Sequence, residues 1–213
     1  MKKVLGVFLG GLLLAMLIPQ SAVAGVTFGL GIKGGISFAR VNWIDMGEED
    51  QSNFLAQPVF GAFVAINLNK VFTLQPEVYL LTRGGKWTED SGEMITKWIE
   101  KWKYIHIPIL AKVHLMQGGK TIPVIFAGPA INFNLSAKGK IFEDDVLVDE
   151  YEFKDWVKSP TLSLVFGGGA EMKMEKFMLI LDLRYDLGLT NPVEFPDENV
   201  KFGTLMFMVG IGF

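Results

Sequence analysis

Eight charged residues stand out because each falls on the face opposite the alternating apolar residues of its stretch, which is the predicted inward face. Asp182, Arg184 and Asp186 occupy alternate positions of one such stretch, which places their side chains on the same face of a β-strand. A buried charge is tolerated only when it is paired, so ion pairing is the chemistry that this pattern indicates. The predicted network has four charges of each sign: Lys33, Arg83, Lys112 and Arg184 with Glu77, Glu171, Asp182 and Asp186.

Catalytic and metal chemistry are weakly supported by the other residue types. The chain has two histidines, His106 and His114, too few for a histidine-rich metal cluster. His106 could approach Asp186, a pairing that some membrane hydrolases use, but no nucleophile is marked by its spacing. We therefore predict no catalytic residue, no metal site and no enzymatic activity.

Two glycine motifs match phosphate-binding patterns by letter alone. Gly29–Gly34 fits G-x-G-x-x-G, yet the residues that follow, Ile36–Phe38, continue a strand where a dinucleotide site requires a helix. Gly119–Thr121 lacks the first glycine of a phosphate loop and is better explained as a turn. No cofactor is predicted, and the net charge of −3 gives no indication of nucleic-acid binding.

Alternation of apolar residues with small or polar ones indicates the elements that carry these charges. From Leu205 to Phe213 every odd position is large and apolar, and the same parity holds from Phe177 to Leu189. This pattern predicts an all-β fold, an eight-stranded antiparallel transmembrane β-barrel with strands of roughly 10 to 14 residues. The stretch from Ile122 to Leu135 is apolar at both parities, so its facing is ambiguous, and a bulge is expected near Gly128–Pro129. The stretches are 26–38, 60–66, 72–81, 104–115, 122–135, 162–171, 177–189 and 205–213.

The connections alternate between short and long, which is typical of periplasmic turns and extracellular loops. Short turns are expected at Asn67–Lys70, Gln117–Lys120 and Lys173–Lys176, and long loops at 39–55, 84–101, 137–160 and 190–201. Most remaining acids lie in the long loops, where they form a solvated surface or, between Glu143 and Asp155, hold divalent cations or a cationic partner. This segment lacks the spacing of a calcium loop.

The second long loop also holds aromatic residues that admit two interpretations. Trp87, Trp98, Trp102 and Tyr104 could form an aromatic girdle at the membrane interface or a platform on which carbohydrate stacks. Residues 93–102 also fit helical spacing, so a short helix is an alternative there.

The beginning of the chain has the pattern of a secretory signal peptide. Met1–Lys3 is basic, Val4–Ile18 is apolar, and Ser21–Ala24 supplies small residues for cleavage after Ala24. We expect residues 1–24 to be the signal peptide and residues 25–213 to be the outer-membrane β-barrel. The chain has no cysteine, so its stability must come from a large cooperative element and not from disulfides.

The rival fold is a soluble β-sandwich or a lipocalin-like barrel with its apolar face inward. The face opposite the apolar residues is rich in glycine and not in solvated Lys, Glu and Thr, which favours the membrane barrel. An eight-stranded barrel is just wide enough for side chains to fill it, so the charges on its inner face predict a plugged lumen.

Several short motifs resemble a known family. Gly31–Gly35, Gln75–Tyr79, Tyr104–Ile109, Phe126–Pro129 and Phe213 are together similar to outer-membrane β-barrel domain proteins of the PorT-like or porin family. The resemblance implies an eight-stranded barrel in the outer membrane of a Gram-negative bacterium, in contact with lipid and lipopolysaccharide. It also implies insertion by the barrel-assembly machinery, with Phe213 as the recognition residue, and it implies no activity.

The function predicted from the sequence is that of a non-enzymatic outer-membrane barrel with a charge-plugged lumen and long acidic extracellular loops. Its role would be membrane-structural or that of a surface-interaction protein whose extracellular partner the sequence does not identify. The alternatives are a narrow porin-like channel for small solutes or ions and an outer-leaflet lipid-modifying enzyme.

Overall fold

The computed structural model describes residues 26–45, 48–116, 118–194 and 198–213 of the chain. The predicted signal peptide, residues 1–24, lies outside the described residues. Within these ranges, no helix is both long enough and apolar enough to cross a membrane.

Strands make up nearly all of the described chain, and the one helical element is a single 3-10 turn at Lys154–Trp156. The strands are β1 Thr27–Asp45, β2 Glu48–Gln51, β3 Leu55–Asn67, β4 Phe72–Asp90, β5 Ile95–His114, β6 Thr121–Glu143, β7 Val146–Glu152, β8 Thr161–Lys173, β9 Met178–Gly188 and β10 Glu198–Gly212.

Eight of these strands close into a ring. Around the ring the order is β1, β3, β4, β5, β6, β8, β9 and β10, and each strand is antiparallel to its neighbours. β10 pairs with β1 from Gly31↔Gly212 to Asp45↔Glu198, which closes the barrel and leaves the ring without a free edge. The predicted eight-stranded antiparallel barrel is confirmed. The two remaining strands, β2 and β7, pair with β1 and β6 and were not predicted.

The barrel carries its large apolar side chains on the outside. On β9, Leu181 and Leu183 are 41% and 48% exposed, whereas Asp182 and Arg184 between them are 4% and 1% exposed. In a soluble protein the apolar side chains would face inward and the charged ones outward. The opposite placement seen on β9 is the one that a lipid environment requires. The predicted facing is confirmed on this strand, and β6 follows it too, with Ile125 and Ile131 outward and Phe126 inward.

The position predicted for the bulge is wrong. The β5–β6 register runs without a shift past Gly128–Pro129, and it changes between Tyr104↔Asn134 and Lys103↔Ser136. Leu135 is therefore the extra residue of β6. Beyond it the facing of β6 is reversed, so Ala137 is buried and Lys138 is exposed.

One end of the barrel has short turns, as expected, at the connections β3–β4, β5–β6 and β8–β9. At the other end the predicted long loops are wrong for the most part, because the strands continue there as hairpins. β4 continues to Asp90 and β5 begins at Ile95, so no helix forms at residues 93–102. We call this part the hairpin extension, residues 40–54, 84–103, 136–160 and 189–203, as far as the structure describes them.

Glycines on the inner face make room for large side chains that cross the lumen. A Cβ atom added at Gly61 would lie 2.0 Å from the carbonyl oxygen of Val78 and 2.4 Å from Cδ1 of Tyr79. One added at Gly210 would lie 2.5 Å from Cγ of Lys33. The glycine-rich inner face is thus a packing requirement of a narrow, filled barrel.

Candidate functional site

The eight charged residues of the predicted network all lie in the lumen, with exposed fractions between 1% and 4%. They come from five strands: Lys33 from β1, Glu77 and Arg83 from β4, Lys112 from β5, Glu171 from β8, and Asp182, Arg184 and Asp186 from β9. The structure brings them together in three groups along the barrel axis, and in each group acids are in contact with bases.

The central group is a quartet of two acids and two bases. Nζ of Lys33 lies 2.6 Å from Oδ2 of Asp182 and 3.0 Å from Oε1 of Glu77. Arg184 donates from Nη1 to Oε2 of Glu77 at 2.5 Å and from Nη2 to Oδ2 of Asp182 at 2.6 Å. Because β4 and β9 are four places apart in a ring of eight, the Arg184–Glu77 pair spans the full width of the lumen.

A second group lies nearer the hairpin extension. Arg83 donates from Nη2 to Oδ2 of Asp186, again between β4 and β9, and to Oδ1 of Asn132 at 3.1 Å. The ring nitrogen Nδ1 of His106 lies 2.6 Å from the same Asn132 oxygen, and Nε2 lies 3.6 Å from Oδ2 of Asp186. His106 is fully buried.

The third group lies nearer the short-turn end. Lys112 donates from Nζ to Oε1 of Glu171 at 2.6 Å. Nε2 of His114 lies 3.0 Å from the other oxygen of that carboxylate, Oε2. Each carboxylate oxygen of Glu171 thus has its own partner.

Aromatic rings pack against three of the four Lys and Arg side chains of the network, and sequence analysis missed their part in it. Nζ of Lys33 lies 4.8 Å from the ring centre of Phe63, and the guanidinium of Arg184 lies 5.0 Å from that of Phe126. Cations are attracted to the faces of such rings. The inward position of Phe126 could not be predicted, because the stretch from Ile122 to Leu135 is apolar at both parities. Phe202, which packs against Arg83 at 5.7 Å, lies upstream of the predicted last strand, although the even parity of Met206 and Met208 extends to it.

An apolar layer covers the second group on the side of the hairpin extension, and we call it the apolar cap. Trp102 is fully buried at its centre and makes edge-to-face contacts with Phe153 and Phe202, each at 5.1 Å between ring centres. Trp102 and Tyr104 therefore face inward and do not form a girdle toward lipid. The cap consists of Val41, Trp102, Tyr104, Ala137, Phe153, Val157, Val193, Val200 and Phe202.

The acids of the hairpin extension are partly matched by lysines. Lys97 lies 2.7 Å from Asp145, and Lys140 lies 3.1 Å from Glu150. Within the part of the chain that the structure describes, no three His, Asp or Glu side chains are grouped as a metal ion would require. The acidic segment from Glu143 to Asp155 is mainly a hairpin, β6–β7, whose turn residues Asp144 and Asp145 have φ of 48° and 66°.

Comparison with known proteins gives one family and a set of solved structures. Ail of Yersinia pestis is 14% identical, with 87% of this chain and 98% of that chain covered and a TM-score of 0.42. Neisserial surface protein A is 13% identical over 88% and 98%, with a TM-score of 0.46, and OprG of Pseudomonas aeruginosa is 10% identical over 89% and 97%, with a TM-score of 0.44. No curated protein matches the sequence. The family described as "Outer membrane protein beta-barrel domain" matches residues 20–193, which is most of the chain.

Proposed function

The chain belongs to the outer membrane protein β-barrel domain family and is located in the bacterial outer membrane, and we propose that it is a closed, non-enzymatic barrel. In this proposal the lumen carries no solute, and the protein acts structurally in the membrane and through its hairpin extension, which faces the cell exterior. The short-turn end then faces the periplasm.

The observation that carries the proposal is the pairing of Arg184 with Glu77 across the width of the lumen. Their side chains are 1% and 0% exposed, and Lys33 and Asp182 fill the same level of the barrel. A permeating solute would have to separate four buried charges, and breaking one buried ion pair by removal of a partner costs about 3–5 kcal/mol. The apolar cap supports the proposal independently, because it places fully buried Trp102 above the charged groups.

The absence of enzymatic activity in this proposal is supported by where the contact between His106 and Asp186 lies. His106 and Asp186 are both buried at 0% and 1% exposure, on the inner side of the apolar cap. A hydrolase or a lipid-modifying enzyme needs such a pair where substrate can reach it.

The lipid and lipopolysaccharide contacts of this proposal lie on the outside of β5 and β6. Lys101 and Lys138 are directly opposite each other on these strands. Lys101 precedes the buried Trp102 and Lys138 follows the buried Ala137, so both lysines point outward. They lie just beyond the outward-facing apolar residues Ile105 and Phe133. Like charges in directly opposite positions repel. Glu150 lies 3.9 Å from Lys138 and offsets part of this repulsion, and an anion such as a lipopolysaccharide phosphate would stabilise the two lysines further.

Insertion by the barrel-assembly machinery, with Phe213 as the recognised residue, is also part of the proposal. Its side chain is 73% exposed, and its backbone exchanges hydrogen bonds with Leu30 at 2.8 and 3.0 Å. This position at the β1–β10 seam supports the role.

Conductance in planar lipid bilayers tests the closed lumen. The purified barrel is inserted, and insertion is verified by flotation of the same preparation with lipid vesicles, so that silence cannot reflect a failure to insert. We expect no steady unitary steps. Steps that are steady in the wild type and disappear in Asp182→Asn and Arg184→Gln would overturn the proposal in favour of a narrow channel.

A further inference from the structure

A cleft of about 590 Å³ lies in the mouth of the barrel, on the outer side of the apolar cap. Three of the five tryptophans of the chain line it, Trp43 from β1, Trp87 from β4 and Trp98 from β5, together with Tyr151 from β7. Trp87 and Trp98 are directly opposite each other on adjacent strands. These rings therefore do not form a girdle toward lipid.

The aromatic rings of the cleft are supported from below. Trp43, Trp87 and Tyr151 are partly buried and pack against the apolar cap, so one side of each is fixed while the cleft remains open. Rings that are held in place before a ligand arrives lose little conformational entropy on binding.

Polar groups surround the rings and are themselves positioned. Glu100 accepts hydrogen bonds from Nε1 of Trp102 and from the hydroxyl of Tyr151, each at 3.3 Å. Gly139 lies between Glu100 and Tyr151 in the strand register, and a Cβ there would lie 2.1 Å from Cζ of Tyr151. Its missing side chain is what lets the tyrosine reach the carboxylate.

Burial raises the pKa of Glu100 above its ordinary value, and burial followed by the charge of Glu100 raises the pKa of Tyr151 to about 12. The phenol is therefore a stable hydrogen-bond donor at neutral pH. Glu89, Gln51 and Lys86 add a carboxylate, an amide and an ammonium group to the lining.

We propose that this cleft binds a short oligosaccharide, with sugar rings stacked on the tryptophans and hydroxyl groups bonded by Glu89 and Glu100. A sugar ring has apolar C–H faces and polar edges, and this cleft offers flat apolar surfaces beside donors and acceptors in the same way. A lipid chain would require an apolar groove without these polar groups. A small organic cation would leave most of the volume empty and would lie near the ammonium group of Lys86.

The saccharide could come from lipopolysaccharide of the same membrane or from the surroundings of the cell. A titration of the purified barrel in detergent, followed by its tryptophan fluorescence, distinguishes these sources. The ligands added are deacylated lipopolysaccharide core, maltohexaose, cellohexaose, chitohexaose and choline. We expect saturable binding of at least one saccharide. Saturation by the core alone assigns the membrane source, and saturation by a free hexasaccharide assigns an external one.

The variant Trp98→Ala should weaken saccharide binding by about ten-fold, the change that 1.4 kcal/mol of stacking energy represents. If Trp98→Ala fails to fold, Glu89→Ala tests the same site, because Glu89 is exposed and its replacement should not disturb folding. The matched control is Trp156→Phe, because Trp156 is 57% exposed and does not line the cleft. Absence of saturation with every saccharide, saturation by choline alone, or an unchanged affinity in the cleft variants would each overturn the proposal.

Discussion

Arg184 and Lys33 each contact the same two carboxylates, those of Glu77 and Asp182, so the four side chains form a closed ring of ion pairs. Two positive and two negative charges balance within the ring. Because each ion has two partners, removing one cation leaves both carboxylates facing a single positive charge. The quartet should therefore contribute to folding as a unit.

The first prediction concerns this ring. Arg184→Met should lower the free energy of unfolding by about 3–5 kcal/mol, since it leaves buried charge uncompensated. Urea unfolding of the barrel in detergent or lipid vesicles, followed by tryptophan fluorescence, measures the change.

Two variants serve as controls for Arg184→Met. Lys97→Met removes an exposed ion pair with Asp145 and should cost about 0–1 kcal/mol. Glu77→Gln combined with Arg184→Met leaves the balanced Lys33–Asp182 pair and should be more stable than Arg184→Met alone. Equal stability of Arg184→Met and wild type would contradict the buried-ring interpretation.

The second prediction concerns a glycine of the inner face. Gly61→Ala should destabilise the barrel, because its Cβ would lie 2.0 Å from the carbonyl oxygen of Val78 and the backbone would have to move. Gly34→Ala is the matched control, since the nearest atom to its Cβ is 3.7 Å away. Urea midpoints of the two alanine variants make the comparison. If both variants unfold at the wild-type midpoint, the inner face is not packed as described.

At the scale of elements, the hairpin extension differs from the membrane-spanning strands in its outer face. On β5 the outward residues change from Ile105 to Lys103 and Lys101 while the inward residues, Tyr104 and Trp102, remain apolar and buried. The strand thus leaves the lipid without ending, because its backbone hydrogen bonds to β4 and β6 continue. The passage from lipid to water therefore changes the type of side chain on the outer face of the strand, whereas the backbone hydrogen bonds between strands continue unchanged.

The third prediction uses this boundary. Reversal of charge at Lys101 and Lys138, both to Glu, should reduce the lipopolysaccharide that copurifies with the barrel in mild detergent. Each lysine near an anionic lipid surface contributes about 1 kcal/mol of binding free energy. The double variant should therefore lose much of the copurifying lipopolysaccharide, and its difference from the wild type should be smaller at high salt. Lipopolysaccharide per barrel is measured by phosphate content.

Lys120→Glu is the control for this pair, because Lys120 lies at the short-turn end. It should retain the wild-type amount of lipopolysaccharide. If the double variant also retains it, the outward lysines are not the contact.

At the scale of the whole molecule, closure between β1 and β10 leaves no edge strand in the ring and satisfies the backbone of every strand in lipid. A closed barrel of this kind unfolds as one unit. The ion pairs across the lumen link opposite sides of the same ring.

The fourth prediction follows from closure. Without boiling, the barrel in detergent should migrate on a gel at a different position from the boiled protein, since the closed ring resists detergent until it is heated. The same band should be found in the outer-membrane fraction of cells. Identical mobility before and after boiling would mean that the ring is not closed.

The sequence by itself determined the class of fold, the number of ring strands and the face on which each charge lies. These are local properties: alternation along β9, from Leu181 to Asp186, is visible within six residues and does not depend on distant strands. The balance of charge in the lumen was predictable for the same reason.

Only the tertiary structure decided which charges meet, because Glu77 and Arg184 are 107 residues apart and are brought together by ring closure and register. It also decided the bulge at Leu135 and the continuation of strands into the hairpin extension. Where a strand leaves lipid, its outward residues become polar and the alternation that reveals it disappears, although its hydrogen bonds continue. The aromatic cleft lies in that part of the chain, so it could be found only once the barrel was assembled.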